Sequence, residues 1–258
     1  MVSVPLRQAF LSRERMLLTI AVIDSPTMIE VIGLAGFDGV IFDMEHGPFT
    51  TASVSKCIVA AERRGLAPLV RLPFARREEI GALLDLGIAG LIVPHVQSAQ
   101  MAREVVERCR FKPTGDRGGN GWVRAAAFSG DPSYFRSEDD RVAVIVQIEG
   151  AEGLSSAASI IGTEGVDAVF VGPVDLSHAL GVPNELEHPL IVDAVHTVCE
   201  LAHDSGKSVC VFSATTGQVA NWRSRGVDTA IFGVDANLAL RGLTASLQEI
   251  HSDPNGGK

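Results

Sequence analysis

The sequence predicts one (β/α)8 barrel, and three observations lead to this fold class. Short apolar runs alternate with amphipathic stretches along all 258 residues. Several of the eight apolar runs are continuous and β-branched, which is typical of strands buried on both faces of a parallel sheet. Hydrophobic residues make up 46% of the chain, enough for one large core, and barrels of this length commonly form a single domain. We therefore expect residues 1–258 to form one domain.

The predicted strands each end close to a polar residue or a glycine. They are Met16–Ile23, Gly39–Asp43, Ala67–Leu72, Gly90–Pro94, Val142–Glu149, Ala168–Gly172, Ser208–Phe212 and Thr229–Gly233. Amphipathic patterns predict helices between them, with clear examples at Thr51–Arg64, Arg76–Leu86, Ser98–Arg110 and Leu190–Ser205. Gly65, Gly87 and Gly206 follow three of these helices, where a left-handed C-cap is needed.

An open doubly wound sheet is the alternative fold, but no GxGxxG motif opens an early strand–helix unit. The segment Lys112–Arg141 is expected to be an irregular loop, and a loop of that length commonly serves function or an oligomer contact. The tail Asp253–Lys258 is expected to be frayed. No internal segment resembles a linker between domains.

Composition excludes several classes of partner. The net charge of −9 disfavours nucleic acid and anionic membranes, and apolar runs such as Val142–Val146 are too short to cross a bilayer. The four cysteines are scattered without a CxxC pair, which indicates reduced thiols rather than disulfides or a zinc site. The sequence therefore predicts a cytoplasmic protein that acts on small molecules.

In a parallel barrel the active site lies at the carboxyl ends of the strands. Glu149 and Asp175 end successive predicted strands there, which would place them on strands about 4.8 Å apart. Two carboxylates so close repel each other unless a proton or a cation lies between them, and an oxygen-only pair suits Mg²⁺ or Mn²⁺. The alternative is that Asp175 caps the next helix and Glu149 pairs with an arginine.

Asp43 and His46 follow the second predicted strand. An acid three residues before a histidine can orient the imidazole and raise its basicity, which suits a general base acting directly or through a water on a metal. The alternative is a turn residue beside a solvated histidine. Glu45 between them is either a partner of metal-bound water or simply exposed.

Arg71 and Gln147 lie near the ends of two other buried runs. Arg71 would point its guanidinium into the barrel mouth, where it could hold a carboxylate or stabilise an enolate oxygen, unless it forms a structural ion pair. Gln147 could hold a substrate carbonyl or only satisfy an interior polar layer. None of the four lysines ends a strand, which disfavours a Schiff-base mechanism. If the barrel acts on a keto acid, a metal ion must therefore be the electron sink.

Eight stretches of the chain form a shared pattern in one uninterrupted order from about Met16 to Leu247. They are Gly36–Pro48, Leu69–Arg71, Leu84–Gly87, Leu91–Gln97, Gly115–Gly118, Val146–Glu149, Val166–Ser177 and Phe232–Asp235. Together these stretches resemble the HpcH/HpaI-type 2-keto-acid (pyruvate) aldolases, whose superfamily includes citrate lyase β-type proteins.

The resemblance implies a phosphoenolpyruvate/pyruvate-type TIM barrel and a class II aldolase. Such an enzyme cleaves or forms 4-hydroxy-2-keto acids, giving pyruvate or a hydroxypyruvate-like donor plus an aldehyde, with Mg²⁺, Mn²⁺ or Co²⁺ as cofactor. It further implies a homo-oligomer, a hexamer or trimer, with C-terminal helices exchanged between subunits. The alternatives are another metal-dependent keto-acid lyase or hydrolase of this superfamily, or a non-catalytic keto-acid-binding protein.

The resemblance also implies roles for individual residues. Glu149 and Asp175 would hold the metal, while His46, Asp43 and Arg71 would be catalytic. The residues that it implies for substrate binding are Arg71, Gln147, Gly172, Pro173 and Val174.

The chain departs from the family pattern at three places that are expected to line the aldehyde pocket. The first strand, Met16–Ile23, lacks the Gly and Trp of many relatives, and Phe212–Thr215 replaces an aliphatic run. His95 stands where relatives often have Met, and it has either a substrate contact or a structural role.

Overall fold

The structure, a computed structural model, describes residues 5–252. Eight parallel strands close into a barrel in chain order, which confirms the predicted (β/α)8 fold. The strands are β1 (Leu17–Ala21), β2 (Gly39–Asp43), β3 (Ala67–Arg71), β4 (Gly90–Val93), β5 (Ala143–Ile148), β6 (Ala168–Val171), β7 (Ser208–Ser213) and β8 (Thr229–Val234). The tail 253–258, predicted to be frayed, lies outside the described residues.

Helices surround the barrel and connect successive strands. They are α1 (Leu6–Leu11), α2 (Pro26–Leu34), α3 (Thr51–Arg63), α4 (Ile80–Asp85), α5 (Ala99–Cys109), α6 (Ser133–Arg141), α7 (Ala151–Ser155), α8 (Ala157–Ile161), α9 (Pro173–Ala179), α10 (Pro189–Asp204), α11 (Thr216–Ser224) and α12 (Asp235–Ser252). Gly65, Gly87 and Gly206 have positive φ angles of 71°, 91° and 67° directly after their helices, as predicted. No helix within residues 5–252 is long and apolar enough to cross a membrane.

Two sequence predictions need correction. The helix predicted from Arg76 begins instead as a 3₁₀ segment, Phe74–Glu79, because the backbone at Arg76 is not helical (φ −104°, ψ 17°). The segment Lys112–Arg141, predicted to be irregular, contains α6 in its last third. An Asp131 carboxylate oxygen accepts the N–H of Ser133 at 2.8 Å and starts that helix.

The barrel interior is filled from its amino-terminal end by apolar side chains. Residues at alternate positions of the strands, such as Ile41, Leu69 and Ile145, form one buried cluster. Helix α1 closes the bottom, where Phe10 packs into this cluster and its carbonyl accepts the Ser208 hydroxyl at 2.6 Å. The charged side chains Asp43 and Arg71 face inward at the opposite end.

A buried ion-pair network below the barrel ties α1, α5 and β5 to the start of β6. Asp167 is 1% exposed, and its carboxylate lies 2.9 Å from Arg7 Nε and 3.2 Å from Arg110 Nη2. The same carboxylate accepts the main-chain N–H of Val144 at 2.9 Å. One aspartate therefore satisfies charges and donors from three separate elements.

Replacing Asp167 by Ala should lower the free energy of unfolding by about 3–5 kcal/mol, because the buried Arg110 guanidinium loses its partner. Urea denaturation at one fixed protein concentration measures the change. The matched control is Glu30→Ala, which breaks the exposed Arg64–Glu30 pair and should cost less than about 1 kcal/mol. Equal effects of the two substitutions would contradict the role given to Asp167.

Candidate active site

The ends of β2 and β3 carry a buried ion pair inside the mouth of the barrel. Asp43 and Arg71 are paired in register, and both occupy the positions of their strands that face inward. Arg71 Nε donates to Asp43 Oδ1 at 2.9 Å and Nη2 donates to Oδ2 at 2.7 Å. Burial alone would raise the pKa of Asp43, but the Arg71 guanidinium and two main-chain N–H groups hold that pKa below its ordinary value.

Asp43 shapes the following turn through the main chain. Its Oδ1 accepts the N–H of Glu45 at 3.1 Å and that of His46 at 3.3 Å. The predicted contact of Asp43 with the imidazole of His46 is wrong, because the carboxylate is already occupied by Arg71 and these N–H groups. The His46 side chain is 70% exposed, and its Nε2 lies 3.8 Å from Glu45 Oε2.

Glu45 connects this pair to the neighbouring strands. Its carboxylate is 10% exposed and lies 3.4 Å from Arg71 Nε and 3.5 Å from His95 Nε2. The interpretation of Glu45 as simply an exposed residue therefore fails. His95 follows β4 and brings its other ring nitrogen, Nδ1, within 3.0 Å of Glu149 Oε1.

Glu149 is a second buried carboxylate at the mouth, outside the Asp43–Arg71 pair. It is 4% exposed; Oε1 accepts the main-chain N–H of His95 at 2.8 Å, and Oε2 accepts the side-chain amide of Gln147. Burial raises the pKa of Glu149, His95 opposes the rise, and the negative charges of Asp175 and Glu45 add to it. Among residues 5–252, His95 is the one basic side chain with a nitrogen within 4.0 Å of this carboxylate.

A glycine makes room beside Glu149 and Gln147. A Cβ atom at Gly172 would lie 2.8 Å from Glu149 Oε2 and 3.0 Å from Gln147 Nε2, so no larger residue fits without a shift. The side-chain oxygen of Gln147, Oε1, is buried and has no hydrogen-bond partner within the described residues. Buried polar atoms of this kind call for a partner from outside the chain.

A cavity of about 180 Å³ opens between these residues and the strands on the far side of the barrel. The predicted substrate residues Arg71, Gln147, Gly172, Pro173 and Val174 all line it, together with Asp175. The remaining wall is apolar and consists of Ile20, Phe170, Phe212 and Val234. Most ligand pockets are larger, so the volume suits a small acid.

Residues missed by sequence reasoning are Phe170 and Val234. The signal that could have found Phe170 is the alternation along β6, since Ala168 and Phe170 share the inward face with Gly172. Val234, at the end of β8, reaches the cavity only because this strand shifts its register against β1 between Ile231 and Val234. Simple alternation from Ile231 would turn Val234 away from the interior. The shift has no signature in the sequence.

The donor set at the mouth fits a divalent cation that keeps several positions for water and substrate. Glu149 and Asp175 are close enough for their charges to interact; Asp175 lies in the first turn of α9, and no side chain caps that helix. Within residues 5–252, no group of three or more His, Cys, Asp or Glu side chains is already arranged around one metal position. Mg²⁺ and Mn²⁺ commonly take only one or two protein carboxylates.

None of the lysines that the structure describes lines the cavity. Lys207 lies at the opposite end of the barrel, before β7, where its ammonium donates to the carbonyls of Ile161 and Thr163. Burial lowers the pKa of Lys207, but its position excludes it from this site. The fourth lysine, Lys258, is outside the described residues.

Comparison with known proteins identifies the family of this chain. Residues 19–241 match the family model described as HpcH/HpaI aldolase/citrate lyase. The chain is 34% identical over 217 residues to a 4-hydroxy-2-oxo-heptane-1,7-dioate aldolase of Salmonella arizonae, covering 84% of this chain and 82% of that one. It is 34% identical over 191 residues to a hydroxypyruvate/pyruvate aldolase of Roseobacter denitrificans, covering 74% and 75%.

The fold agrees with that assignment. A crystal structure of an HpcH/HpaI aldolase/citrate lyase family protein from Burkholderia cenocepacia superposes with a TM-score of 0.90 at 31% identity, covering 96% of this chain and 99% of the other. The relatives named above are aldolases, which are carbon–carbon lyases. The barrel, the family match and the relatives agree, and the chain belongs to the HpcH/HpaI aldolase/citrate lyase family.

Proposed function

We propose that this chain is a divalent-metal-dependent aldolase that cleaves or forms 4-hydroxy-2-keto acids, with pyruvate or a hydroxypyruvate-like acid as donor and an aldehyde as acceptor. One observation carries the proposal: Arg71, Gln147 and Asp175 line one small cavity, and the side-chain amide of Gln147 donates to the buried carboxylate of Glu149. The relatives' names supply the class of reaction. The relatives' names, which are those of aldolases, favour this proposal over the alternative of a non-catalytic binding protein.

Glu149 and Asp175 would hold the cation, and Gln147 would face the substrate with its unpartnered Oε1. A divalent cation at this position polarises a keto group and stabilises negative charge on its oxygen. Arg71 lies on the other side of the cavity mouth, where its N–H groups can stabilise that same charge as a carbon–carbon bond breaks. Its pairing with Asp43 keeps the guanidinium in place before substrate arrives.

The main chain of Gly172–Val174 forms one wall of the cavity, where it can hold the keto-acid carboxylate at the start of α9. His46 lies at the exposed rim and is the group best placed to exchange protons with the reacting hydroxyl or with solvent. Because Asp43 fixes its main chain only, the imidazole is free to turn toward substrate. A cytoplasmic location fits the four buried, unpaired cysteines.

We also propose that the chain forms a homo-oligomer, a hexamer or trimer, through α12. That helix exposes Leu240, Leu243, Leu247 and Ile250 by 59%, 67%, 56% and 67%, at the 3–4–3 spacing of one apolar stripe. A second exposed apolar patch, Val31, Leu34 and Val59, lies on α2 and α3. With two such apolar surfaces on each chain, neighbouring copies can bury these surfaces against one another.

The proposed function predicts exchange of pyruvate methyl protons in deuterium oxide, followed by NMR. Exchange should require Mg²⁺ or Mn²⁺, should stop with EDTA, and should be lost in Glu149→Ala, because that variant removes the buried ligand. Glu152→Ala, an exposed glutamate three residues further on, is the matched control and should exchange normally. Exchange that persists with EDTA or in Glu149→Ala would sink the proposal.

Gly172→Ala should lower the exchange rate by on the order of tenfold to a hundredfold, the range for disturbing the groups that support metal ligands. The added methyl would push against Glu149 Oε2 and Gln147. Gly150→Ala is the control, because a Cβ there meets nothing within 4 Å. Equal rates in both variants would mean that the close approach at Gly172 has no bearing on the site.

The double variant Leu243→Asp/Leu247→Asp should sediment as a smaller species than the wild type in analytical ultracentrifugation, because two charges in an apolar contact are costly to bury. Circular dichroism should show the barrel intact. Ser246→Asp, also on α12 and exposed, is the control and should keep the mass of the wild type if it lies outside the contact. An unchanged mass of the double variant contradicts the assembly through α12.

A further inference from the structure

His95 occupies an unusual place at the mouth of the barrel. Its imidazole lies between two carboxylates, with Nδ1 3.0 Å from Glu149 Oε1 and Nε2 3.5 Å from Glu45 Oε1. The backbone of His95 is in the left-handed region, with φ 54°, which few residues other than glycine adopt. That backbone directs both the main-chain N–H and the ring of His95 onto Glu149.

The distance between Nδ1 and the carboxylate oxygen suits an ordinary hydrogen bond, and it also suits two ligands of one cation. Two adjacent ligands that each stand about 2.1 Å from one octahedral cation are about 3.0 Å apart. His95 Nδ1 and Glu149 Oε1 have that separation. The pair is therefore spaced so that one cation could be bound by both atoms.

The other ring nitrogen has the partner that a metal-binding histidine needs. Histidines that bind metals commonly donate their second N–H to a carboxylate, which fixes the tautomer and orients the ring. Glu45 Oε1 lies on that side of His95, and Glu45 is in turn held 3.4 Å from Arg71 Nε. The ring thus stands between a candidate ligand and a carboxylate that is itself anchored.

We propose that His95 is a nitrogen ligand of the divalent cation, bound through Nδ1 beside Glu149, with Glu45 accepting the Nε2 proton. The inference rests on the proposed function, because it needs the cation that Glu149 and Asp175 would hold. Since the described residues contain no three donors already arranged around one point, Asp175 has to turn inward when the ion binds. Asp175 is exposed, so its side chain is free to do so.

A nitrogen ligand changes which metal the site selects. Mg²⁺ and Mn²⁺ suit oxygen ligands, whereas imidazole suits later divalent metals such as Fe²⁺, Ni²⁺ and Zn²⁺. The chain should therefore discriminate against Mg²⁺ more strongly than a site built from two carboxylates and water. Two other histidines lie near enough to compete for this role: His46, at the rim beside Glu45, and His178, on the same short helix as Asp175.

The test is electron spin echo envelope modulation on the full chain loaded with Mn²⁺, which detects an imidazole nitrogen bound to the ion. Modulation from one imidazole should be present in the wild type, in His46→Asn and in His178→Asn, and absent in His95→Asn. Asparagine also tolerates the left-handed backbone, and His95→Gln provides a second variant. Calorimetric titration should show Ni²⁺ affinity falling by on the order of tenfold in His95→Asn, with Mg²⁺ affinity changing far less.

Different failures identify different errors. If Mn²⁺ binds the wild type without imidazole modulation, and Glu149→Ala abolishes that binding, the role of His95 is overturned while the proposed function stands. Modulation lost in His46→Asn or His178→Asn instead of His95→Asn also overturns it. If Glu149→Ala leaves Mn²⁺ binding unchanged, the metal site of the proposed function fails together with this inference.

Discussion

Closure of eight parallel strands constrains everything else in this molecule, because it forces alternate side chains of every strand into a narrow interior. The interior positions of β2 are Ile41 and then Asp43, and those of β3 are Leu69 and then Arg71. At the bottom the interior is apolar and α1 closes it. The charged pair Asp43–Arg71 faces inward at the carboxyl ends of its strands, where solvent and substrate reach it.

The ion pair between Asp43 and Arg71 is the first consequence of that arrangement. A guanidinium so enclosed needs a carboxylate on a neighbouring strand, and an in-register partner on β2 supplies it. Because the carboxylate of Asp43 is paired with Arg71, it does not hold the ring of His46, which stays exposed at the rim. The contact with His95 is made by Glu45 instead. Contacts through Glu45 and His95 thus link Glu149 to the arginine that lines the cavity.

Glu149 has the opposite electrostatic surroundings from Asp43, although both carboxylates are buried at the same end of the barrel. Full pairing with a guanidinium lowers the pKa of Asp43, whereas burial and neighbouring acids raise that of Glu149. One carboxylate is therefore satisfied within the chain and the other is not. This difference supports the positioning role proposed for Asp43 and the cation-binding role proposed for Glu149.

The sequence by itself determined the barrel and all eight strands, to within about two residues of their ends. It also determined the line of polar residues that follows the strands. Alternation and burial are local patterns that an apolar run displays directly. The sequence could not determine that Asp43 pairs with Arg71 instead of the His46 ring, or that His95 meets Glu149. The first depends on register between strands 28 residues apart. The second depends on a left-handed backbone and a contact across 54 residues. Only closure of the barrel brings such distant groups together, so the tertiary structure alone decided which of the predicted residues touch.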